Sequence, residues 1–256
     1  MSKSYTVRES LEDADRGNLK SFSDTLAHLL FHRGIKSEDE AVAFMSPNYD
    51  RHVHDPFLLL GMEKAVQRIL QAINNGEKIA IFSDYDADGV PGAVVLHDFF
   101  KLAGFHNFLN YIPDRQEEGF GLSVFAIEEI KKQGATLLIT IDCGITALEE
   151  VDFANNLGID VIITDHHLPS EIGLPNSFAN INPKISPDYP EQMLCGAGVI
   201  FKVVQAILLK ERFGLAPGAE KWLLDMVGIA TLSDMVPIRG ENRAFACFGL
   251  MVLRKT

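Results

Sequence analysis

Cysteine is scarce: Cys143, Cys195 and Cys247 are the only three in 256 residues, and no two form a Cys-x-x-Cys pair. That excludes a disulfide framework and a thiolate zinc site, and the three read as reduced thiols. Long apolar runs are also missing. None approaches the roughly 20 residues that a membrane-spanning helix needs, and the first twenty residues are too polar for a secretory signal, so a cytoplasmic protein is expected. Basic residues are outnumbered, with 23 Lys and Arg against 35 Asp and Glu, a net charge of −12. A chain coated in positive charge for gripping nucleic acid is thereby excluded. A phosphate-bearing substrate is not, because a carboxylate cluster loaded with divalent cations counts as negative in composition yet is close to neutral or positive once filled.

What is present belongs to a globular protein. Hydrophobic residues make up 47% and charged residues 23%, which excludes a disordered, collagen-like or coiled-coil chain and leaves one large α/β unit or two small domains. Residues 1–57 read as a small helical lead-in. Leu26, Leu29 and Leu30 recur at helical spacing over residues 23–33 and stop at Gly34, and a second short helix is expected over 38–44. From residue 58 a second domain is expected. It opens with an amphipathic helix over 62–75, carrying Ala65, Val66, Ile69, Leu70 and Ile73 on one stripe. Short β-rich runs then follow at 78–82, 108–112, 137–141, 161–163 and 179–181, with helices at 92–102, 124–133 and 147–157 between the first four. Strands that are apolar throughout, alternating with helices, predict a mostly parallel sheet covered by helices on both faces. Further helices are expected at 199–213 and 221–232. The ending at 243–256 is amphipathic and stops without a C-cap, as a fragment of a longer protein would.

Ligands of such sheets bind beyond the carboxyl ends of the strands, and there the sequence becomes unusual. The first strand runs into Ser83-Asp84-Tyr85-Asp86-Ala87-Asp88-Gly89, the third into Asp142-Cys143-Gly144, and the fourth into Thr164-Asp165-His166-His167. Five carboxylates and two imidazoles so reach one edge. Like charges gathered this way repel and raise one another's pKa unless cations sit among them. A donor set rich in oxygen, with one or two nitrogens and no sulfur, favours manganese or magnesium over structural zinc. A bridging Asp142 on the neighbouring strand suits two ions about 3.5–4 Å apart, the spacing of two-metal phosphoryl hydrolysis. Each segment alone also has a plainer reading. An Asp-x-Asp-x-Asp-Gly stretch is often a solvated turn or a calcium loop, although this one lacks the distal glutamate of an EF-hand; a strand-end Asp is often an N-cap. The run at 228–232 breaks at Ser233-Asp234-Met235-Val236-Pro237, where Asp234 either completes a metal shell or caps a backbone.

Taken in order, Asp84-Tyr85-Asp86-Ala87-Asp88-Gly89, Ile141-Asp142-Cys143-Gly144, Asp165-His166-His167 and Ser233-Asp234-Met235-Val236-Pro237 resemble the motifs of the DHH phosphoesterase superfamily, and within it the RecJ family of single-stranded-DNA exonucleases. The segments Ile112-Pro113-Asp114-Arg115, Glu118-Gly119-Phe120-Gly121-Leu122, Asn182-Pro183-Lys184 and Cys195-Gly196-Ala197-Gly198-Val199 extend the likeness over nearly the whole chain. The resemblance implies a centre of two Mn2+ or Mg2+ ions held by Asp86, Asp88, Asp142, His166 and Asp234, with Asp142 bridging. Asp84 becomes a further ligand or an acceptor behind the ligands. Asp165 orients the histidines, and His167 faces the scissile phosphate, giving a catalytic trio of His167, Asp142 and Asp165. Arg115, Gly119, Gly121, Asn182, Gly196 and Gly198 are implied as substrate contacts, the last two from a loop leading into a helix N-terminus. The implied substrate is single-stranded DNA, digested from its 5′ end in repair and recombination, with a single-strand-binding protein or a helicase as partners and no membrane. Alternatives within and beyond the superfamily are a phosphodiesterase for short oligonucleotides or cyclic dinucleotides, a pyrophosphatase-like enzyme, and a non-catalytic replication scaffold. On the same ground residues 58–256 become the DHH catalytic domain, without the DHH-associated and OB-like domains that follow it in the family. One departure stands out: Val90 and Pro91 occupy the place where the family usually has a small hydroxyl residue.

Overall fold

The computed structural model describes residues 6–255. The first five residues of the expected lead-in, and Thr256 at the expected amphipathic ending, lie outside the described residues. The chain divides into two compact units, one ending at His52 and the other beginning at Val53.

The first unit contains α1 (Asp13–Gly17), α2 (Asp24–Phe31), α3 (Glu38–Met45) and α4 (Tyr49–His52). Leu19, Ala27, Leu30, Ile35 and Ala41 are buried together as its core. The helix α3 starts where a capping box forms, the Ser37 hydroxyl accepting from the Glu40 N–H while the Glu40 side chain returns to the Ser37 backbone.

The second unit runs α5 (Met62–Asn75), β1 (Ile79–Ser83), α6 (Gly89–Leu102), β2 (Phe108–Tyr111), α7 (Val124–Lys132), β3 (Leu137–Ile141), α8 (Leu148–Asn156), β4 (Asp160–Thr164) and β5 (Ala179–Ile181), then α9 (Gly196–Lys210), α10 (Leu224–Ser233) and α11 (Gly240–Leu253). The strands form one five-stranded sheet in the order β2-β1-β3-β4-β5, parallel at every pairing. Every residue of β1 and β3 is buried, the result expected of strands covered on both faces. Ala80, Phe82, Leu138, Val161 and Ile163 pack with Ala126, Ile127 and Ile130 of α7 and Val151 and Ala154 of α8 on one face. Alternate strand residues point the other way, where α5, α6 and α9 meet the sheet. The order reverses between β1 and β3, so the connections leaving these neighbours diverge and open a crevice at their carboxyl ends.

Helix starts differ from the sequence expectation. The helix α6 begins at Gly89 rather than at 92, and α9 at Gly196 rather than at 199. Pro91 is therefore the third residue of α6, not its predecessor. Its missing N–H is still one of the first four that lack an intrahelical acceptor, so the earlier start sacrifices no bond. The expected helix at 221–232 is a short 3-10 turn (Ala219–Leu223) followed by α10.

The helices α10 and α11 touch backbone to backbone. A Cβ added at Gly249 would lie 2.3 Å from the Leu224 carbonyl oxygen and 2.7 Å from the Gly228 Cα. Gly249→Ala is expected to lower stability by about 1–3 kcal/mol, seen as an earlier midpoint in urea unfolding. An unchanged midpoint would contradict this close approach.

Deeper in the core, the fully buried Lys202 of α9 pairs with Glu241 of α11 at 2.8 Å. The Lys202 ammonium also donates to the His54 carbonyl (2.5 Å) and the Tyr189 hydroxyl donates to Glu241 (2.5 Å). A buried ammonium and carboxylate so matched are tolerated; either one alone would be strongly destabilising. Among the described residues no helix is long and apolar enough to cross a membrane.

Candidate metal centre

Strand register assembles the site. Ser83 pairs with Ile141, Ile141 with Thr164, and Thr164 with Ile181, so the next residues along, Asp84, Asp142, Asp165 and Asn182, stand in a row at the carboxyl edge. The row is held by Asp84 N–H to Ile141 O (3.3 Å), Asp142 N–H to Thr164 O (2.9 Å) and Asp165 N–H to Ile181 O (3.0 Å). Threonines in otherwise aliphatic strands finish the turns: Thr140 Oγ1 donates to Cys143 O and Thr164 Oγ1 to Thr140 O. Asp142 adopts φ +62°, a left-handed conformation that Asp and Asn tolerate better than most residues.

From β1 the chain turns through the three alternating aspartates. Asp84 Oδ1 accepts the Tyr85 N–H, and Asp86 Oδ1 accepts the N–H groups of Asp88 and Gly89 at 3.1 and 3.0 Å. Gly89 is forced by space, because a Cβ there would meet the Asp84 carbonyl oxygen at 2.6 Å. Asp88 stands at the N-cap position of α6 but turns its carboxylate away from that helix, its Oδ2 accepting the Gly196 N–H at 2.6 Å. The Ser233 hydroxyl, at the end of α10, lies within hydrogen-bond reach of Ala87 O (2.9 Å) as well as of Ile229 O in its own helix (2.8 Å), which brings the Asp234 turn against this one. Met235, next to Asp234, is left-handed at φ +60°.

His166 sits at the centre. Its Nε2 lies 3.1 Å from Asp142 Oδ1 and 3.7 Å from Asp88 Oδ2, while Nδ1 is 3.8 Å from Asp234 Oδ2. His167 packs beside it, ring centroids 4.6 Å apart, with Nδ1 2.8 Å from Asp165 Oδ1. Asp165 has no oxygen to spare. Its Oδ1 also accepts the N–H groups of His166 and His167, and Oδ2 accepts that of Ile145. Three overlapping sets each place one donor atom per residue within 4.8 Å of the others: Asp84, Asp86 and Asp142; Asp88, His166 and Asp234; and Asp142, His166 and His167. All six residues expected to ligate metal, Asp84, Asp86, Asp88, Asp142, His166 and Asp234, fall within these sets. Asp142 belongs to two of them.

The electrostatics ask for cations. Both Asp142 oxygens and Asp84 Oδ2 are buried without a hydrogen-bond partner among the described residues, a costly state for a carboxylate unless a positive charge faces it. Burial raises Asp88, Asp142, Asp84 and Asp234 above the ordinary carboxylate range, and neighbouring carboxylates push each further up. Asp86 and Asp165 go the other way: burial would raise them, but the N–H groups they accept, and the His167 ring for Asp165, outweigh it. His167 is raised by its hydrogen bond to Asp165, against the opposing effect of burial. Manganese and magnesium, which take carboxylates together with an imidazole, fit this donor set.

The residues expected at the substrate divide into two groups. Arg115, Gly119 and Gly121 lie on the exposed segment between β2 and α7, with the Arg115 guanidinium 5.4 Å above the Tyr85 ring. Both glycines are left-handed, at φ +81° and +80°. Between them the exposed Phe120 ring stands edge-on to His167 at 6.3 Å. Asn182, Gly196 and Gly198 are buried. Asn182 Nδ2 donates to His167 O and its Oδ1 accepts the Lys184 N–H. Gly196 and Gly198 are not in a loop as expected but in the first turn of α9, and the Gly196 N–H is committed to Asp88. A Cβ on Gly196 would fall 2.4 Å from the Asp142 Cβ, so this glycine is required by contact with the carboxylate. Sequence reasoning gave no role to Lys184, whose ammonium donates to the His166 carbonyl.

Comparison with known proteins adds to this geometry. The family model described as the DHH family, N-terminal domain, matches residues 78–231. The single-stranded-DNA-specific exonuclease RecJ of Bacillus subtilis is 42% identical across 98% of this chain, which covers 31% of that protein. A crystal structure of RecJ from Thermus thermophilus in complex with Mn2+ superimposes with a TM-score of 0.74 at 28% identity, over 93% of this chain and 32% of the other. Another, of exonuclease RecJ bound to manganese, gives 0.68 at 34% identity, over 75% of this chain and 48% of that one. The chain thus spans about a third of the length of the curated relative it matches at 42%.

Proposed function

The chain belongs to the DHH family, and from that premise we propose that its second unit hydrolyses phosphodiester bonds with two divalent cations, Mn2+ or Mg2+, acting on single-stranded DNA from the 5′ end. The observation that carries this reading is the pair of buried Asp142 oxygens, neither accepting a hydrogen bond among the described residues, standing between two sets of side chains able to ligate. Asp84, Asp86 and Asp142 would hold one ion, and Asp88, His166 and Asp234, with Asp142, the other. Bound there, the ions supply a water acidified to near neutral pH and neutralise charge that builds on the phosphorus oxygens. The protein's own work is to hold and orient. Asp165 fixes the His167 ring through Nδ1, leaving Nε2 turned to the half-exposed side. With Nδ1 engaged by Asp165, Nε2 is the nitrogen left to present a proton to a phosphate oxygen. Arg115, on the exposed segment beside Tyr85, is placed to fork a backbone phosphate.

A single strand must first be separated from its complement, so a single-strand-binding protein or a helicase is the proposed partner. The three free thiols are compatible with the proposed cytoplasmic location.

The test sets a long 3′-labelled single strand beside a dinucleotide and pyrophosphate, each with manganese and with a chelator. Stepwise shortening of the long strand, stopped by the chelator, is expected. Hydrolysis of pyrophosphate or of the dinucleotide alone would move the chain to another branch of the family, and cleavage that survives chelation would remove the metal reading altogether.

A further inference from the structure

The peptide groups of the two histidines are fully used. Asp165 takes the N–H groups of His166 and His167. Their carbonyls go to a different element: Asn182 Nδ2 donates to His167 O at 2.9 Å, and the Lys184 ammonium donates to His166 O. The two donors come from one short turn, the 3-10 segment Pro183–Ile185, which Asn182 caps by accepting the Lys184 N–H at 2.8 Å. Asn182 is itself fully buried, and its carbonyl accepts from Ser186 Oγ at 2.7 Å, so the turn is anchored below. Strand pairing sets this up. Thr164 pairs with Ile181, and beyond the strand ends residues 182–184 continue alongside 165–167.

We propose that Lys184, with Asn182 behind it, is a positioning residue of the metal centre: it fixes the His166 backbone so that the imidazole reaches Asp142 on one side and Asp234 on the other. This inference rests on the reading that these side chains hold metal. Two effects of a lysine here have opposite sign. As a bare positive charge near the ligands it repels an incoming cation, and removing it strengthens metal binding. As a clamp on His166 it pre-forms the site, and removing it weakens binding. The clamp is expected to dominate, because an ammonium near six carboxylates is a small fraction of the local charge, whereas a released carbonyl lets a central ligand turn away.

Manganese titration of the metal-free protein by calorimetry decides between them. Lys184→Met is expected to bind manganese about tenfold more weakly than the parent chain, in the range usual for partners that orient a ligating histidine. Lys184→Arg keeps the charge and the N–H donors and is expected to restore most of the affinity. Lys184→Gln, neutral and one bond too short to reach the carbonyl, should be as weak as the methionine variant and serves in its place should that one fail to fold. Equal or tighter binding by either neutral variant overturns the inference. A parent chain that takes up no manganese overturns the metal reading instead. The clamp is then judged by hydrogen exchange, which should be faster at the His166 and His167 amides of Lys184→Met than in the parent, and unchanged exchange counts against it.

Discussion

Asp142→Asn is expected to lower phosphodiester hydrolysis by on the order of a thousandfold, about 4 kcal/mol of transition-state stabilisation, and at the same time to stabilise the metal-free protein. The two effects share one cause. Asp142 is a fully buried carboxylate at the junction of two ligand sets, with neither oxygen accepting a hydrogen bond among the described residues. With cations in place it would be the shared anion; without them its ionisation is opposed by burial and by the neighbouring carboxylates, with the His166 Nε2 at 3.1 Å to offset it in part. Asparagine keeps the shape, tolerates φ +62°, and removes the charge. The expected gain is about 1 kcal/mol, a rise of roughly 2–4 °C in the thermal midpoint for a unit of this size. Alanine is the poorer test, since it adds left-handed strain to the loss of the ligand. Steady-state hydrolysis of labelled single strands and thermal melts in chelator check the pair. An active variant, or an inactive one that melts earlier, would break the link between burial and metal.

Stability should also depend on pH in a direction that manganese opposes. Asp84, Asp88, Asp142 and Asp234 are raised in the folded protein, each by burial first, and so is His167, through Asp165. A group raised on folding binds protons more tightly in the native state, so its contribution is fully present below its unfolded pKa and is lost as pH climbs through the folded one. For the carboxyls that loss begins near the ordinary range of about 4 and continues upward; for His167 it begins near about 6.5. Asp86 and Asp165, lowered on folding, give the opposite slope, but only below about 4. In chelator, then, urea midpoints should fall steadily from about pH 5 to about pH 8. With manganese at about a hundred times its dissociation constant, each bound ion adds about 2.7 kcal/mol, and adds it most fully at high pH, where the ligands are ionised. The two curves should therefore diverge with rising pH. Parallel curves would mean that these carboxyls do not hold the ions.

The chemistry of the site was legible because it lies on strand ends. Residues 137–141 and 179–181 are strands as the apolar runs predict, 161–163 falls within one, and the run expected at 78–82 is a strand shifted by one residue, to Ile79–Ser83; once those runs are recognised as parallel, the residues that follow them must share an edge. Helix starts were less legible. Gly89 and Gly196 open α6 and α9, yet glycine is a poor helix former and signals a turn. They are there because the neighbouring Asp84 carbonyl and Asp142 side chain leave no room for a Cβ, a constraint that exists only after the chain has folded. Lys184 was unreadable for a related reason. A side chain that grips a main-chain carbonyl across 18 positions leaves no periodicity, charge run or spacing behind.

The seat of α9 has a mechanical meaning. Its first residue rests against Asp142 and gives its N–H to Asp88, while one and a half turns on, Lys202 is bolted to Glu241 in the core. The helix thus joins two of the clustered carboxylates at its first residue to a buried ion pair in the core. An altered partner on α11 would leave Lys202 unpaired in the core, so its damage is expected first in stability, along the same helix that seats Asp88 and Asp142.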